Sequence, residues 1–360
     1  MKLKRKWCLQ MHRTARFFLV ICILAVVVIN ISLIRALNSE DRWYISFFNS
    51  TKWRSTPSRS KPEPHLRKEP VYVETSKSPT CEFYKPNSKN RAVDLLEYHY
   101  MTVDLNGRLG NQMFKYASLL GIAAQHGYTP FLRQKSLLFS AFEFQKYFRH
   151  ISTTNRVSFG ERHAGIYDCR IHNLTHSKNI TLNGYYQSWK YFHHVIAQVR
   201  KLFQFTDDIV RRAKKIINSF RPGNKTLVGV HVRRGDMSTK RELRRGYNVA
   251  DVKYFRKVFE YFRYEFEEVL FIVVSDSVSW VKTNLEADDV VFSETSIAYL
   301  DMAILAHCKH SIITSGTFGW WGAYLAGGKT VYFKDYPKPK TWLSDQYNRN
   351  DYYPPNWIPM

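Results

Sequence analysis

Short apolar segments alternate with helical patterns along most of the chain, from Tyr100 to Phe333. The segment 269–275 (VLFIVVS) is apolar at nearly every position, as in a strand that is buried on both faces of a sheet. The segment 251–266 is longer and has the pattern of a helix. Such alternation is typical of β-α-β units, in which helices join parallel strands. The sequence therefore predicts an α/β fold.

The same reading assigns elements along the whole body of the chain. The predicted strands are Tyr100–Leu105, Thr129–Leu132, Asn179–Tyr185, Leu227–Val232, Val269–Ser275, Val290–Phe292, Ser311–Thr314 and Thr330–Phe333. The predicted helices are Asn111–His126, Trp189–Phe203, Asp251–Phe266, Ser277–Leu285 and Ser296–Cys308, with a glycine-rich helix after Thr314. A division near Phe220 gives an N-terminal half at 91–220 and a C-terminal half at 221–360. A cleft between two such halves would receive a ligand at the carboxyl ends of strands.

The N-terminus has the pattern of a membrane anchor. A basic segment at 1–16 without acidic residues precedes an apolar segment, Phe17–Ile34. A helix over 17–34 would be about 27 Å long, close to the roughly 30 Å of a hydrocarbon core. The charge distribution predicts a cytoplasmic tail at 1–16, a transmembrane signal-anchor at 17–34 and a lumenal body. A cleaved signal peptide is the alternative, and it also sends the body into the secretory pathway.

The segments after the apolar stretch agree with a lumenal body. Residues 35–90 lose periodicity and become rich in Pro, Ser and Lys, which predicts an extended stem. The predicted N-glycosylation sites are Asn49, Asn173, Asn179 and Asn224. Three cysteines follow the anchor, and we expect a Cys81–Cys169 disulfide because Cys308 lies in a helical pattern that should be buried.

The chain is strongly basic, with 54 Lys and Arg against 30 Asp and Glu and a formal charge of +24. This excess suits a nucleic acid, an anionic membrane surface or a phosphorylated small molecule. The anchor and the sequons disfavour nucleic acid. Much of the charge lies in 239–246, predicted to be a basic loop, and in 211–215, predicted to be a solvated helix face.

One predicted strand runs directly into two arginines, in the sequence V-G-V-H-V-R-R-G-D-M at 228–237. Adjacent side chains of a strand face opposite sides, so Arg233 and Arg234 cannot point the same way unless the strand ends, as Gly235 suggests. One guanidinium would bind an anion through two parallel hydrogen bonds, while the other pairs with Asp236 or another carboxylate. A purely structural arginine neutralised by Asp236 is the alternative.

Two further glycine-containing turns each follow a predicted strand and open a helix. They are N-G-R-L-G-N-Q at 106–112 and T-S-G-T-F-G-W-W-G at 314–322. Glycine lets backbone N–H groups approach a phosphate, and a helix N-terminus favours negative charge. For the second turn, close helix packing through small residues is the alternative. Three anion-suited turns at three strand ends together predict a diphosphate site.

The sequence contains no Asp-x-Asp, no Cys-x-x-Cys and no His/Cys cluster with the spacing of metal ligands. Enzymes that hold a diphosphate through a divalent cation need clustered carboxylates for that ion. We therefore expect no divalent metal and no other cofactor, with arginine and backbone dipoles neutralising the diphosphate.

Three motifs in this order resemble the galactoside α-1,2-fucosyltransferases. They are G-R-L-G-N-Q at 107–112, H-V-R-R-G-D at 231–236, and the long block from Asp301 to Gly328 that contains G-T-F-G-W-W-G-A-Y-L-A-G-G. The segment N-G-Y-Y-Q-S-W-K-Y-F at 183–192 also resembles that family. The arginine motif is shared with α-1,6- and protein O-fucosyltransferases, whereas the last block is more specific to the α-1,2 family.

The resemblance implies a GT-B-like fold of two Rossmann-type halves and an inverting, metal-independent transfer of fucose from GDP-fucose to a glycan. It implies a type II Golgi membrane protein whose acceptor is carried on a glycoprotein or glycolipid. Arg233 and Arg234 would be the chief phosphate anchors, and Asp276 would bind guanine, with a helix N-cap as its alternative role. The other implied donor-binding residues are Gly107, Arg108, Gly110, Asn111, Gln112, His231, Ser315, Gly316 and Thr317.

The acceptor side is less defined by the motifs. An inverting transferase needs a general base, and Asp236, Glu294 and Asp301 are the candidates. Family members of vertebrate type have an acidic residue just after the G-R-L-G-N-Q turn, where this chain has Phe114-Lys115. Three aromatic residues, Tyr185, Tyr186 and Trp189, would stack on acceptor sugars, with core packing as the alternative for at least one of them.

Two other functions fit the same motifs. One is a fucosyltransferase of another linkage or with a protein acceptor. The other is an inactive lumenal relative that binds a glycan or a nucleotide.

Overall fold

The computed structural model describes residues 99–133, 136–142, 156–174 and 178–360. The predicted tail, anchor and stem, together with Asn49 and Cys81, lie outside these ranges. Within them, no helix is both long enough and apolar enough to cross a bilayer.

Ten strands occur in the described residues. They are β1 (Tyr100–Val103), β2 (Thr129–Phe131), β3 (Arg156–Gly160), β4 (Asn179–Asn183), β5 (Thr226–Val232), β6 (Val269–Ser275), β7 (Val290–Phe292), β8 (His310–Ile313), β9 (Thr330–Tyr332) and β10 (Ile358–Pro359). They form a four-stranded sheet in the order β2-β1-β4-β3 and a six-stranded sheet in the order β10-β9-β8-β5-β6-β7. Every pairing in both sheets is parallel, which confirms the predicted α/β fold of two sheets.

The helices of the described residues connect these strands. They are α1 (Leu109–His126), α2 (Leu138–Ala141), α3 (Ile196–Leu202), α4 (Asp207–Ser219), α5 (Lys240–Arg245), α6 (Val252–Glu265), α7 (Val278–Asn284), α8 (Ala298–Ala306), α9 (Thr317–Ala326) and α10 (Arg349–Tyr352).

The larger sheet is covered by helices on both faces, as strand β6 shows. Phe271 and Val273 of β6 belong to an apolar cluster with residues of α6 and α7. Ile272 and Val274 belong to another cluster, with residues of α4 and α8. Successive side chains of a strand face opposite sides, so a continuously apolar strand must be covered twice.

Helix α9 joins the two sheets through a shared core. Its Trp320 and Trp321 are fully buried, with ring centroids 4.5 and 5.2 Å from that of Phe114 in α1. Aromatic side chains of this size bury much apolar surface. The predicted alternative for the 314–322 turn, close helix packing, is therefore part of its role.

Two predicted elements are wrong. The helix expected at 189–203 is instead two 3₁₀ turns, Trp189–Tyr191 and His193–Val195, followed by α3, because Phe192 leaves the helical backbone at φ −126° and ψ 7°. The loop expected at 239–246 contains helix α5. Thr239 caps it by accepting the N–H of Glu242, and left-handed Gly246 ends it. Thr-x-x-Glu is the spacing of a capping box, so the sequence contained this signal.

The cysteines and sequons follow the predictions in part. Cys308 is free and buried, as expected, and Cys169 is in a disulfide whose predicted partner, Cys81, lies outside the described residues. Asn173 and Asn224 are exposed. Asn179 is half-buried in β4, and its Oδ1 accepts the N–H of Tyr100 at 2.8 Å.

Candidate functional site

The three predicted turns follow the carboxyl ends of β1, β5 and β8. The first and third open α1 and α9, and the second carries the two arginines. In parallel sheets, the carboxyl ends of neighbouring strands lie at one edge, where ligands bind. The structure brings residues of all three turns into contact, as described below.

The Arg233 guanidinium lies between two carboxylates. Its Nη2 is 2.5 Å from Oδ1 of Asp236, and its Nη1 is 2.7 Å from Oδ2 of Asp276. The Arg233 N–H also donates to Oγ1 of Thr314 at 2.9 Å, so the backbone is fixed as β5 ends. Both ion-pair partners were predicted site residues, and Arg233 joins them.

Arg234 points elsewhere, as expected for the next residue of a strand that has ended. Its guanidinium carbon is 3.8 Å from the ring centroid of Trp280, and its Nη1 donates to the carbonyl oxygen of Ala250 at 2.8 Å. Burial lowers the pKa of Arg234, while the negative charges of Asp276 and Asp251 oppose this shift. This second cation is held by a ring and a carbonyl group.

Asp276 organises the arginine turn from the end of β6. Its Oδ1 accepts the N–H of Arg234 at 2.9 Å, while its Oδ2 pairs with Arg233. A Cβ on Gly235 would lie 2.4 Å from Oδ2 of Asp276, so this close approach requires glycine. Asp276 is not the cap of α7, since the N-cap residue is Ser277.

Arg108 reaches the same site from the N-terminal turn. Its Nη2 is 3.5 Å from Oδ2 of Asp236, and the two side chains are 71% and 50% exposed. An exposed pair at this distance contributes little stability. It does show that the G-R-L-G-N-Q turn faces the arginine motif.

The N-termini of α1 and α9 meet directly. A Cβ on Gly110 would lie 2.7 Å from the carbonyl carbon of Thr317. Oδ1 of Asn111 accepts two hydrogen bonds, from Oγ1 of Thr317 at 2.9 Å and from Nε2 of Gln187 at 3.0 Å. These contacts link segments that are far apart in the sequence, and they occupy side chains that were predicted to bind the donor.

The remaining predicted donor-binding residues line the same turns. Nε2 of Gln112 donates to the carbonyl oxygen of Gly107 at 2.8 Å, and Oγ of Ser315 contacts the sulfur of Met237 at 3.2 Å. Gly316 is partly exposed at φ +84°. These positions remain predictions as donor contacts.

His231 is buried beneath the arginine turn. Its ring packs on Phe318 at 5.4 Å between centroids, and its Nδ1 has no hydrogen-bond partner among the described residues. Burial and, to a smaller extent, the charge of Arg233 together lower the pKa of His231 to about 3. The ring is therefore neutral near pH 7.

The three predicted bases are all engaged with other groups. Asp236 pairs with Arg233 and Arg108, and exposed Glu294 pairs with Lys282. Oδ1 of Asp301 accepts the hydroxyls of Ser293 at 2.9 Å and Thr295 at 2.6 Å. Burial raises the pKa of Asp301 to about 6, although these two hydrogen bonds oppose the shift.

The three predicted acceptor aromatics differ in exposure. Tyr185 is 41% exposed, whereas Tyr186 is fully buried and donates its hydroxyl to the carbonyl oxygen of Phe159 at 2.8 Å. A buried ring has no free face for a sugar, so the prediction for Tyr186 is wrong. Trp189 is half-buried, and its Nε1 donates to the carbonyl oxygen of Asn350 at 3.1 Å.

Sequence reasoning missed Glu161, which lies beside Tyr185, and noted Lys115 only for standing near a position that is acidic in relatives of vertebrate type. Glu161 follows β3, and Lys115 of α1 places its Nζ 4.7 Å from the Tyr185 ring centroid. Burial lowers the pKa of Lys115 and raises that of Glu161 to about 8. Strand β3 was not predicted because its residues are mostly exposed, so nothing drew attention to the residue that follows it.

In the described ranges, no group of three or more His, Cys, Asp or Glu side chains is arranged to hold a metal ion.

Comparison with known proteins identifies the family. The model of glycosyl transferase family 11 matches residues 66–360. Galactoside alpha-(1,2)-fucosyltransferase 2 of Sus scrofa is 32% identical over 270 residues, covering 71% of this chain and 78% of that protein. Galactoside alpha-(1,2)-fucosyltransferase 1 of Rattus norvegicus is 30% identical over 313 residues, covering 82% of each.

Among solved structures, the NodZ alpha-1,6-fucosyltransferase co-crystallized with GDP is similar at 13% identity, with a TM-score of 0.43 over 66% of this chain and 96% of that one. The family match spans most of the sequence and includes all three motifs of the site. The chain therefore belongs to glycosyl transferase family 11, and the protein is a glycosyltransferase.

Proposed function

We propose that the protein transfers L-fucose from GDP-β-L-fucose to the 2-hydroxyl of a terminal galactoside, with inversion at the anomeric carbon and without a divalent metal. The relatives of this chain are named galactoside alpha-(1,2)-fucosyltransferases. The observation that carries the proposal is the convergence of Arg108, Arg233, Asp236 and Asp276 at the carboxyl edge of the strands.

Arg233 would hold the diphosphate. Its planar fork already makes two short ion pairs, and a diphosphate offers the same geometry of two acceptor oxygens. Asp236 is half-exposed and has Arg108 as a second partner, so it is the carboxylate that would give way. The exchange keeps Arg233 paired before and after the donor binds.

Arg234 would supply a fixed positive charge near the departing GDP. Negative charge gathers on GDP as its bond to fucose breaks, and cations that are already in place lower the barrier. Contacts with Trp280 and Ala250 hold the Arg234 guanidinium, so it need not reorganise during the reaction. Asp276 holds the backbone of this turn through Oδ1 and pairs with Arg233 through Oδ2.

We further propose that the protein is a type II membrane protein of the Golgi with its catalytic body in the lumen. The support is the basic segment 1–16 followed by the apolar segment 17–34. Protease protection of the body in intact microsomes, lost when detergent is added, is the expected result.

The direct test is fucosyl transfer by the purified full-length protein. We expect transfer from GDP-fucose to a terminal β-galactoside in the presence of EDTA, with an α-1,2 linkage in the product. Loss of transfer in EDTA would contradict the metal-free mechanism. A product with another linkage, or transfer to a protein acceptor, would show that the proposed acceptor specificity is wrong. GDP binding without transfer to any acceptor of a broad glycan panel would indicate the inactive relative.

A further inference from the structure

The N-terminal half has a charged cluster of its own at the carboxyl edge of its sheet. We call Lys115, Glu161 and Tyr185 the edge cluster. Glu161 follows β3, Tyr185 follows β4, and Lys115 projects from α1. The carboxyl edge of a parallel sheet is where a doubly wound fold binds its ligands. The proposed donor site uses none of these three residues.

The Glu161 carboxylate is held in a fixed position. Its Oε1 accepts the N–H of Tyr185, and its Oε2 accepts the N–H of Tyr186 at 2.6 Å. A Cβ on Gly184 would lie 2.4 Å from the Glu161 carboxyl carbon, so the chain passes close against this group. A catalytic carboxylate must be held by its surroundings in this way if it is to meet a substrate atom reproducibly.

The other two members provide a platform and a charge. Tyr185 is 41% exposed, which leaves part of its ring available to a sugar. Nζ of Lys115 lies over that ring and donates to the carbonyl oxygen of Asp104 at 3.1 Å and to Oδ1 of Asn106. These bonds tie Lys115 to the segment that leads into the G-R-L-G-N-Q turn.

The G-R-L-G-N-Q turn connects the edge cluster to the donor motif. Nζ of Lys115 donates to Oδ1 of Asn106, which directly precedes this turn. Nη2 of Arg108, in the same turn, lies 3.5 Å from Oδ2 of Asp236. The edge cluster and the proposed diphosphate site are therefore joined through one short segment.

We propose that Glu161 is the general base of the transfer reaction, with Tyr185 as the platform under the acceptor sugar. This inference rests on the proposed fucosyl transfer. Asp236 and Glu294 form ion pairs with cationic side chains, whereas Glu161 is held by neutral backbone N–H groups and lies on the half that carries the exposed aromatic ring.

The proposed step is balanced within substrates and protein. The acceptor O–H bond breaks, and its proton moves to the Glu161 carboxylate. The acceptor oxygen forms a bond to the anomeric carbon of fucose. The bond from that carbon to the phosphate oxygen breaks, and its electron pair leaves with GDP. Glu161 then releases the proton to water.

Burial suits Glu161 to this role because it raises the basicity of the carboxylate. Burial raises the pKa of Glu161 to about 8, against the opposing effects of the Tyr185 and Tyr186 N–H groups and of Lys115. The ionisable groups that interact with Glu161 are Lys115, Asp168, Tyr186, Tyr191 and Tyr347. Because a base acts when deprotonated, kcat should rise with pH until it levels off above about pH 8.

The test compares Glu161→Gln, Glu161→Asp and the control Asp104→Asn in the full-length protein. Asp104 is the matched control because it is an exposed acidic residue that follows another strand of the same sheet, β1, and it contacts Lys115 through a backbone carbonyl that Asp104→Asn retains. We expect E161Q to lower kcat by about 10²- to 10⁴-fold, the usual contribution of a general base, with the Kd for GDP within twofold of wild type. E161D should retain at least ten times the kcat of E161Q, and D104N should stay near wild type.

The pH profile separates catalysis from a structural role. E161D should shift the rising limb of kcat, and E161Q should lack that limb. Retention of more than a tenth of wild-type kcat by E161Q, or an unchanged limb in E161D, would overturn the inference. If E161Q is too unstable to bind GDP, the E161D profile decides. If wild-type protein binds GDP but transfers no fucose, the proposed function is wrong. If wild-type protein is active and only the Glu161 variants behave unexpectedly, the role of Glu161 alone is wrong.

Discussion

Gly110→Ala tests whether the close contact between α1 and α9 holds the site together. The added Cβ would lie 2.7 Å from the carbonyl carbon of Thr317 and 2.8 Å from its carbonyl oxygen and Oγ1. Ordinary contact begins at about 3.4 Å, so one of the two helix N-termini must move by about 0.7 Å. Backbone atoms cannot swing aside as a long side chain can.

The expected cost follows from three effects. Overpacking of this kind costs about 1–3 kcal/mol. Stretching the bond between Thr317 and Asn111, now 2.9 Å long, adds roughly 0.5–1.5 kcal/mol. Replacing glycine by alanine in a helix offsets at most about 1 kcal/mol. With the full glycine offset, the net loss in the free energy of unfolding should be about 0.5–3.5 kcal/mol.

The assay is urea denaturation of the full chain, followed by tryptophan fluorescence because Trp320 and Trp321 lie in the core joined by these helices. Gly160→Ala is the matched control, since the nearest atom to its Cβ would be 4.0 Å away. GDP affinity should also fall in G110A, because the same movement displaces Arg108 from Asp236. If G110A and G160A unfold at the same urea concentration and bind GDP equally, the helix contact does not organise the site.

Two further predictions concern the arginine turn. Arg233→Lys should raise the Kd for GDP by about one to two orders of magnitude, since charge-assisted hydrogen bonds are each worth roughly 1.5–3 kcal/mol. The control is Arg263→Lys, which loses a bidentate pair with Asp289 away from the site and should leave the Kd for GDP unchanged. Equal affinities in both variants would show that Arg233 is structural. The free energy of unfolding should fall as the pH drops from about 6.5 towards 3. The folded-state pKa of His231 is lowered to about 3, so the unfolded chain takes up a proton on His231 before the folded protein does, and protonation favours unfolding. His231→Phe should flatten this dependence by up to about 1.4 kcal/mol per pH unit, and an unchanged slope would show that other groups cause it.

The order of strands and helices could be predicted because it depends on local patterns. Buried parallel strands such as β5 and β6 are continuously apolar, and their helices have a different period, so both kinds of element are visible in the sequence. Exposed strand β3 was not predicted because it has no continuous apolar segment. The two arginines and their glycine indicated the proposed donor site only together with the other two glycine-containing turns, because a structural arginine neutralised by Asp236 was the alternative.

The pairing of an arginine with nearby Asp236 was predicted, but side-chain partners from distant segments could not be, because they depend on which segments meet. Asn111 bonds to Thr317, 206 positions along the chain, and Arg233 divides its charge between Asp236 and Asp276. The sequence left core packing open for at least one of Tyr185, Tyr186 and Trp189, but only the fold decided that Tyr186 is buried.

The sequence by itself thus determined the α/β architecture, the family motifs and the chemistry of the arginine turn, all of which are encoded within short segments. The tertiary structure alone decided which predicted residues are engaged with one another and brought Glu161 and Lys115 beside Tyr185. The physical reason is that burial and electrostatic surroundings are properties of the assembled molecule, in which residues from separate strands share one edge.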